Sequence, residues 1–302
     1  MADGYGNLDM EYKTMTTEDI IICFVILHYQ NINDTLDCVQ SILELNSNRS
    51  ARVVVVDNAS PNGTGTKLAD FFSDNRSVKV LCRTTNDGFS KANNEGIELA
   101  KNTWNPDFYV VSNNDVVFEQ EDFLKKIVES YNNYGFDVLG PDIYVPSYDS
   151  HQNPMEMDPP TLPQVTLTII KNTILSLLIP FYYKRIDKRH DKGRRASSEN
   201  YQRFCDDVCL KGACMIYSRK YVDEKEKVFW PETFFYYEEF IQTVYCRKNN
   251  KVIIYNPDIR VIHKDGASLS RDSKAMYFRS KYIVSNTQKA AKVYRDYLKG
   301  LI

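Results

Sequence analysis

ARVVVVDNASPNGTGTKLADFF, residues 51–72, carries the pattern that decides the fold. Val53 to Val56 stand in a row with no polar alternation. A continuous β-branched run of this length suits a strand covered on both faces, as in a parallel sheet. The run stops at Asp57-Asn58-Ala59-Ser60, PNGTG turns the chain, and KLADFF reads as a short helix. Strand, polar end, turn and helix make the repeating unit of an α/β sheet.

The same unit recurs on either side. IIICFVIL (20–27), VKVL (78–81) and FYVV (108–111) are further apolar strands. A helix succeeds the first, capped by Asn33 or Asp34, with Leu36, Val39, Ile42 and Leu43 at helical spacing. SKANNEGIELAK (90–101) is helical and offers Ala92, Ile97, Leu99 and Ala100 for burial. Each strand gives way to polar residues: His28-Tyr29, Asp57-Asn58, Asn86-Asp87-Gly88-Phe89 and Ser112-Asn113-Asn114-Asp115. Ligands of open α/β sheets bind at that carboxyl edge, so four polar ends in register predict a site.

The second half is less regular. VLGPDIYV (138–145) and VCLKGACMIY (208–217) read as strands, and KVIIYNPDIRVIHKDGAS (251–268) as two strand-like pieces ending at His263. ETFFYYEEFIQTVYCRKNN (232–250) holds a helix start and a helix, and 274–302 a terminal amphipathic helix. SYDSHQNPMEMDPPTLP (147–163) is a Pro-rich, polar loop, with HQNP at 151–154. VTLTIIKNTILSLLIPFYY (165–183) is an apolar pattern ending at Pro180, followed by KRIDKRHDKGRR (184–195) with seven Lys or Arg. An apolar helix with a basic flank suits an anionic membrane interface, and a core helix followed by a solvated loop fits equally.

Composition removes several classes. Lys plus Arg total 38 against 40 Asp plus Glu, a net charge of −2 that argues against a dedicated nucleic-acid binder. The seven cysteines are odd in number, scattered and without a CxxC pair, which reads as buried thiols in a reducing compartment and speaks against a zinc site. Residues 1–19 are polar and acidic, a leader or disordered segment and no secretory signal, and 20–27 is too short to span a bilayer. The cytoplasm is the expected compartment, with peripheral contact at the cytoplasmic face of the membrane allowed by 165–195.

Asp115, Glu238, Glu239 and His263 form the strongest chemical constellation. A strand-end carboxylate beside two asparagines offers hard oxygen ligands for Mg2+ or Mn2+ bridging a diphosphate, and His263 adds a nitrogen. Glu238 and Glu239 lie among FFYY and Phe240, where burial would raise a carboxylate pKa toward a general base's range. The competing readings are an acid pair at a helix N-terminus and a satisfied strand-end histidine. GxGxxG, GxxxxGK[ST] and GxSxG are all missing, so the usual dinucleotide, P-loop and hydrolase-elbow readings fail.

The ordered series VILHYQNINDTLDCVQSIL, VVVVDNASPNGTG, NDGFSKANNEGIELA, YVVSNNDVVFEQEDFL, LGPDI, KGACMIYSRK, FFYYEEF and VIHKDGAS resembles family-2 glycosyltransferases of the GT-A fold. It looks most like the bacterial rhamnosyl- and galactofuranosyl-transferase-like branch. The likeness runs over 20–285 and implies a Rossmann-like, mostly parallel mixed sheet flanked by helices, with a nucleotide-binding half (20–118), an acceptor half (138–268), an inserted segment (160–200) able to face a membrane, and a C-terminal helix. It implies inverting transfer of a hexosyl or deoxyhexosyl group from a UDP- or dTDP-sugar to a hydroxyl of a cell-surface polysaccharide or lipid-linked glycan. By the same resemblance Asp57 contacts the nucleotide base and His28 lines its pocket. Asn86 and Asn94 shape the donor site, Asn113-Asn114-Asp115 replaces the DxD motif with Asp115 carrying the metal, and His263 completes the metal site. Glu239 is the base and Glu238 binds acceptor hydroxyls; the acid often found two residues after the pair is Ile241 here. A sugar nucleotidyltransferase would need a Gly- and Arg-rich loop that HYQNIND lacks, and a catalytically inactive glycan-binding protein of the same fold is the remaining alternative.

Overall fold

The computed structural model describes residue 15 and residues 20–45, 50–265 and 272–302. The expected leader falls almost wholly outside these. The first half alternates as its patterning predicts: β1 (Ile22–His28), α1 (Ile32–Glu44), β2 (Ala51–Asp57), α2 (Thr64–Phe71), β3 (Val78–Cys82), α3 (Phe89–Trp104) and β4 (Phe108–Asn113). Then come β5 (Val116–Val117), α4 (Phe123–Tyr134), β6 (Val138–Val145), β7 (Ser150–His151), α5 (Leu162–Arg194) and β8 (Cys205–Asp206). The chain closes with β9 (Cys214–Ser218), α6 (Arg219–Asp223), α7 (Glu238–Lys248), β10 (Ile253–His263) and α8 (Ser273–Leu298).

The strands form one sheet in the order β3-β2-β1-β4-β9-β6-β10-β5, with β7 on β6 and β8 on β10. β1, β2, β3 and β4 run parallel, as do β6 and β10, while β9 runs against both β4 and β6. The continuous apolar runs are continuous because both faces are covered. Phe24, Ile26, Val53 and Val55 pack with Cys38, Val39 and Ile42 of α1 on one face. Cys23, Val25, Val54 and Val56 meet Ala92, Ile97 and Ala100 of α3 on the other.

Four local expectations are corrected. The cap of α1 is Asn31, whose side chain accepts from the Asp34 N–H, so Asn33 and Asp34 lie inside the first turn. β9 starts at Cys214, and the preceding stretch pairs at Cys209, in an isolated antiparallel bridge with Met155, instead of extending the strand. The two pieces expected in 251–268 are one strand with a register shift between Asn256 and Arg260; 266–268 lie outside the described residues. The apolar pattern does not end at Pro180: α5 continues through it to Arg194, and the basic flank is helical. An interior proline removes one backbone hydrogen bond and usually kinks or breaks a helix. Here α5 lies along α8, joined by Arg279 to Asp187 at 2.6 Å, by Ser280 Oγ to the Tyr183 carbonyl and by Gln288 to Thr173, which holds both sides of the proline.

Candidate functional site

Parallel strands deliver their carboxyl ends to one edge of the sheet. His28 stands opposite Asp57 in the β1–β2 register, and Leu27 opposite Asn113 in β1–β4. The Asp57 carboxylate accepts from the Ser60 N–H at 3.2 Å. It fits because residue 65 is glycine: a Cβ there would sit 2.0 Å from Asp57 Oδ2. His28 is wholly buried, with Nδ1 2.6 Å from Thr35 Oγ1 and Nε2 2.8 Å from Thr64 Oγ1. Burial lowers its pKa against the opposing pull of Asp57, whose Oδ1 is 3.9 Å away, so the ring is neutral at pH 7. The ring thus has both nitrogens engaged and no exposed surface, and it stands directly behind the Asp57 carboxylate that the resemblance assigns to the nucleotide base.

The loop after β3 is held by Arg83, which sequence patterning does not single out. Its guanidinium grips Glu95 with two hydrogen bonds of 2.8 and 2.9 Å and also donates to Asn58 and Asp87. Asn86 accepts from Asn58 Nδ2 and from the Gly88 N–H, which shapes the loop. Gly88, at φ 93°, packs so tightly on Phe234 that a Cβ would come within 2.3 Å of its carbonyl oxygen. Asn94 acts at a distance from the edge: it bonds the Phe229 N–H and carbonyl and Glu232. Asn86 and Asn94 therefore position the segment that leads into the glutamate pair.

The NND turn divides its labour. Asn113 follows the sheet edge, its N–H bonded to the Ala213 carbonyl at 3.0 Å. Asn114 turns toward α1, donating to Thr35 Oγ1 at 2.9 Å and the Asn31 carbonyl at 3.2 Å. Asp115 turns the other way, its Oδ1 3.2 Å from His263 Nε2. Gln152, from the HQNP loop, meets His263 Nδ1 at 2.9 Å. With Nδ1 donating to the Gln152 oxygen, Nε2 is left facing a carboxylate, a tautomer assigned from the network. One carboxylate and one imidazole nitrogen converging in this way fit Mn2+ or Mg2+, which commonly take few protein ligands and complete their shell with phosphate oxygens and water. No third His, Cys, Asp or Glu joins them among the described residues.

Antiparallel β9 brings its entry, not its exit, to this same edge. Gly212 there faces both acids: its built Cβ would lie 3.4 Å from Glu239 Oε1 and 3.6 Å from Glu238 Oε1. Both glutamates open α7, where the positive end of the helix favours carboxylates. Tyr236 and Tyr237 just before them take left-handed φ values of 74° and 70°, a strained approach for residues with a Cβ. Lys211 Nζ lies 3.7 Å from Glu239 Oε1. Glu238 is pushed up to about 8, first by burial and then by the charge of Glu239. Its Oε2 is buried without a hydrogen-bond partner among the described residues. Lys211, Gly212 and Gln152 are not among the sequence-predicted site residues, although they lie in KGACMIY and HQNP, two stretches the sequence marks as motifs.

Beside these residues a cavity of about 1080 Å3 opens between α5, α8 and the 151–157 loop, reaching Gln152, Lys211 and Tyr236.

Solved structures share the architecture. Residues 1–349 of S. aureus TarS superpose with a TM-score of 0.52 at 15% identity, covering 89% of this chain and 65% of that one. The same segment solved with UDP gives a TM-score of 0.51 at 15% identity, covering 88% of this chain and 65% of that one. GalNAc-T7, solved with UDP, GalNAc and Mn2+, gives 0.53 at 12% identity over 87% of this chain and 48% of that one. The chain thus spans less than two thirds of each of these, and at such identities the likeness establishes the GT-A fold. No curated protein matches by sequence. The profile described as Glycosyl transferase family 2 matches residues 23–225, about two thirds of the chain, so the chain belongs to that family of glycosyltransferases.

Proposed function

We propose that the protein moves a sugar from a nucleotide-diphosphate donor, UDP- or dTDP-linked, to a hydroxyl of a bacterial cell-surface polysaccharide or lipid-linked glycan, with inversion, in the manner of the rhamnosyl- and galactofuranosyl-transferase-like branch. One observation carries the reading: Asp57, the Asp115–His263 pair and the Glu238–Glu239 pair, from four separate stretches of chain, converge on one edge of the sheet. That TarS was solved with UDP, and GalNAc-T7 with UDP and Mn2+, supports the donor class.

An alcohol is a poor nucleophile at neutral pH, so a carboxylate must take its proton as attack develops. Glu239 fits that task, because Lys211 balances its charge beside Gly212. Glu238, held neutral by burial, can donate a hydrogen bond to an acceptor oxygen. Asp57 is placed to accept from a nucleotide base. Gln152 fixes the His263 ring so that Nε2 stays aimed at Asp115. A divalent cation held by Asp115 and His263 would offset the charge growing on the leaving diphosphate.

The proposal includes work at the cytoplasmic face of the membrane, supported by α5. Leu167, Ile170, Ile174, Leu177, Leu178 and Phe181 recur every three or four residues and are 37–81% exposed. Exposed Lys184, Lys188 and Lys192 continue the same face. A helix of this kind lies in a headgroup layer with its apolar side down.

A thermal-shift screen of UDP and dTDP with and without Mn2+ tests the core of the proposal. UDP or dTDP with Mn2+ should raise the melting temperature, and Asp115→Ala should abolish the metal-dependent part. Glu239→Gln should keep that shift while turnover falls by roughly 10²–10⁴. If no nucleoside diphosphate moves the transition, with or without Mn2+, the proposed donor class is wrong.

A further inference from the structure

β6 runs with β4, because each runs against β9, so its carboxyl end reaches the same edge as Asp115. Asp142 lies near that end and is buried. Burying a carboxylate is costly unless something binds it. Here an imidazole does: both Asp142 oxygens meet His151 Nδ1, at 2.8 and 3.0 Å. Arg260 Nε lies 3.7 Å from the second oxygen. The rest of His151 is fastened as well. Its N–H donates to Ser197 Oγ at 2.9 Å, and its carbonyl accepts from the Ser198 N–H at 2.7 Å. Tyr201 stacks flat on the ring, with centroids 3.7 Å apart and planes 12° from parallel, and Tyr144 leans against it at 5.1 Å.

Nε2 is then the one polar atom of His151 without a protein partner among the described residues. With Nδ1 donating to Asp142, Nε2 carries the lone pair, a tautomer assigned from the network. The ring lines the cavity that also reaches Lys211, Tyr236 and Gln152. Lys211 stands beside Glu239 and Gln152 holds His263, so His151 borders the same space as both halves of the site. A ring already locked in orientation binds without the cost of ordering it. Its lone pair selects a hydrogen-bond donor, and a sugar offers hydroxyls. The attacking hydroxyl belongs to Glu239, which leaves another for His151.

We infer that His151, aimed by Asp142, is an acceptor-binding residue: its Nε2 takes a hydrogen bond from one hydroxyl of the acceptor sugar other than the one that attacks. The inference rests on the transferase reading and names the group that sets the orientation of its second substrate.

Transfer kinetics test it from the substrate side. The probes are methyl glycosides of glucose, galactose, rhamnose and N-acetylglucosamine, given with UDP- and dTDP-sugars. They are followed by the monodeoxy analogues of the glycoside that the wild type uses best. Apart from the position that is glycosylated, one analogue should cost the wild type roughly tenfold or more in kcat/KM, the one lacking the partner of Nε2. His151→Phe keeps a flat ring against Tyr201 without the nitrogens. It should lose a similar factor on the full glycoside and nothing further on that analogue. His151→Gln, whose amide oxygen can still accept, should recover part of the loss. If UDP with Mn2+ no longer raises the melting temperature of His151→Phe, His151→Ala takes its place in the comparison. An unimpaired variant, or equal penalties in wild type and variant at every position, makes His151 a strut of its loop and overturns the inference. A wild type that binds UDP with Mn2+ yet glycosylates none of the glycosides overturns it too, and leaves the donor reading standing. Failure of both UDP and dTDP to bind the wild type instead strikes the transferase reading itself.

Discussion

At Glu238 two local forces disagree. The positive end of α7 favours a carboxylate, while burial and the adjacent Glu239 oppose it, and burial wins by lifting the group to about 8. The folded state therefore prefers the neutral acid. Its contribution to stability is complete below the ordinary value of 4.5 and is lost as pH rises toward about 8. Across that interval wild-type stability should fall by up to about 1.4 kcal/mol per pH unit from this group. Glu238→Gln, neutral throughout, should flatten the fall in a pH series of melting curves; parallel curves for the two proteins would mean that Glu238 is not the buried charge. The glutamate pair is legible in the sequence because two acids come directly after four aromatics. Gly65 is not, because its role is to leave space for Asp57, and that contact exists only once α2 has folded back on β2. The sequence suggests a pocket wall for His28; its burial depends on Thr35 and Thr64, which arrive from two different helices.

At the scale of elements, the strands of the first half are legible because a run of β-branched residues buried on both faces has no competing interpretation. α5 is not, because Pro180 looks like a terminator when only local propensity is considered. Contacts with α8, distant in sequence, override it. The consequence is a single 33-residue helix whose outer side is apolar over several turns and then basic. Leu177→Glu with Phe181→Glu, at positions 77% and 81% exposed, should abolish sedimentation with vesicles of mixed anionic and zwitterionic lipid. Both proteins should remain equally folded by circular dichroism, since neither side chain is part of the core. Wild-type protein that stays in the supernatant with those vesicles, or a double variant whose oligomeric state differs from the wild type's, would assign the apolar side to a protein partner instead.

Over the whole molecule, three apolar clusters do different work. Two cover the faces of the sheet. The third joins Val165 and Ile169 of α5, Tyr237 and Ile241 around α7, and Ala290, Ala291 and Tyr294 of α8. Tyr294 is fully buried and also donates to the Pro160 carbonyl at 2.8 Å. Tyr294→Ala should cost about 3–5 kcal/mol locally and loosen α5 and α8 while the sheet stays intact. Hydrogen exchange should then quicken in α5, α7 and α8, with strands β1 to β4 still protected; uniform quickening would make the third cluster part of one cooperative core. The arrangement of the sheet's second half is beyond the sequence, because the reversal of β9 and the bulge in β10 depend on which strands become neighbours. The split between Asp115, which comes after β4, and His263, which closes β10, bears on synthesis. A nascent chain that has left the ribosome only through β5 carries Asp57 and Asp115 without His263 or the glutamate pair. On the proposed function, the constellation that would hold a pyrophosphate and act on it is complete only once β10 has been made, so an unfinished polypeptide holds no half-armed site.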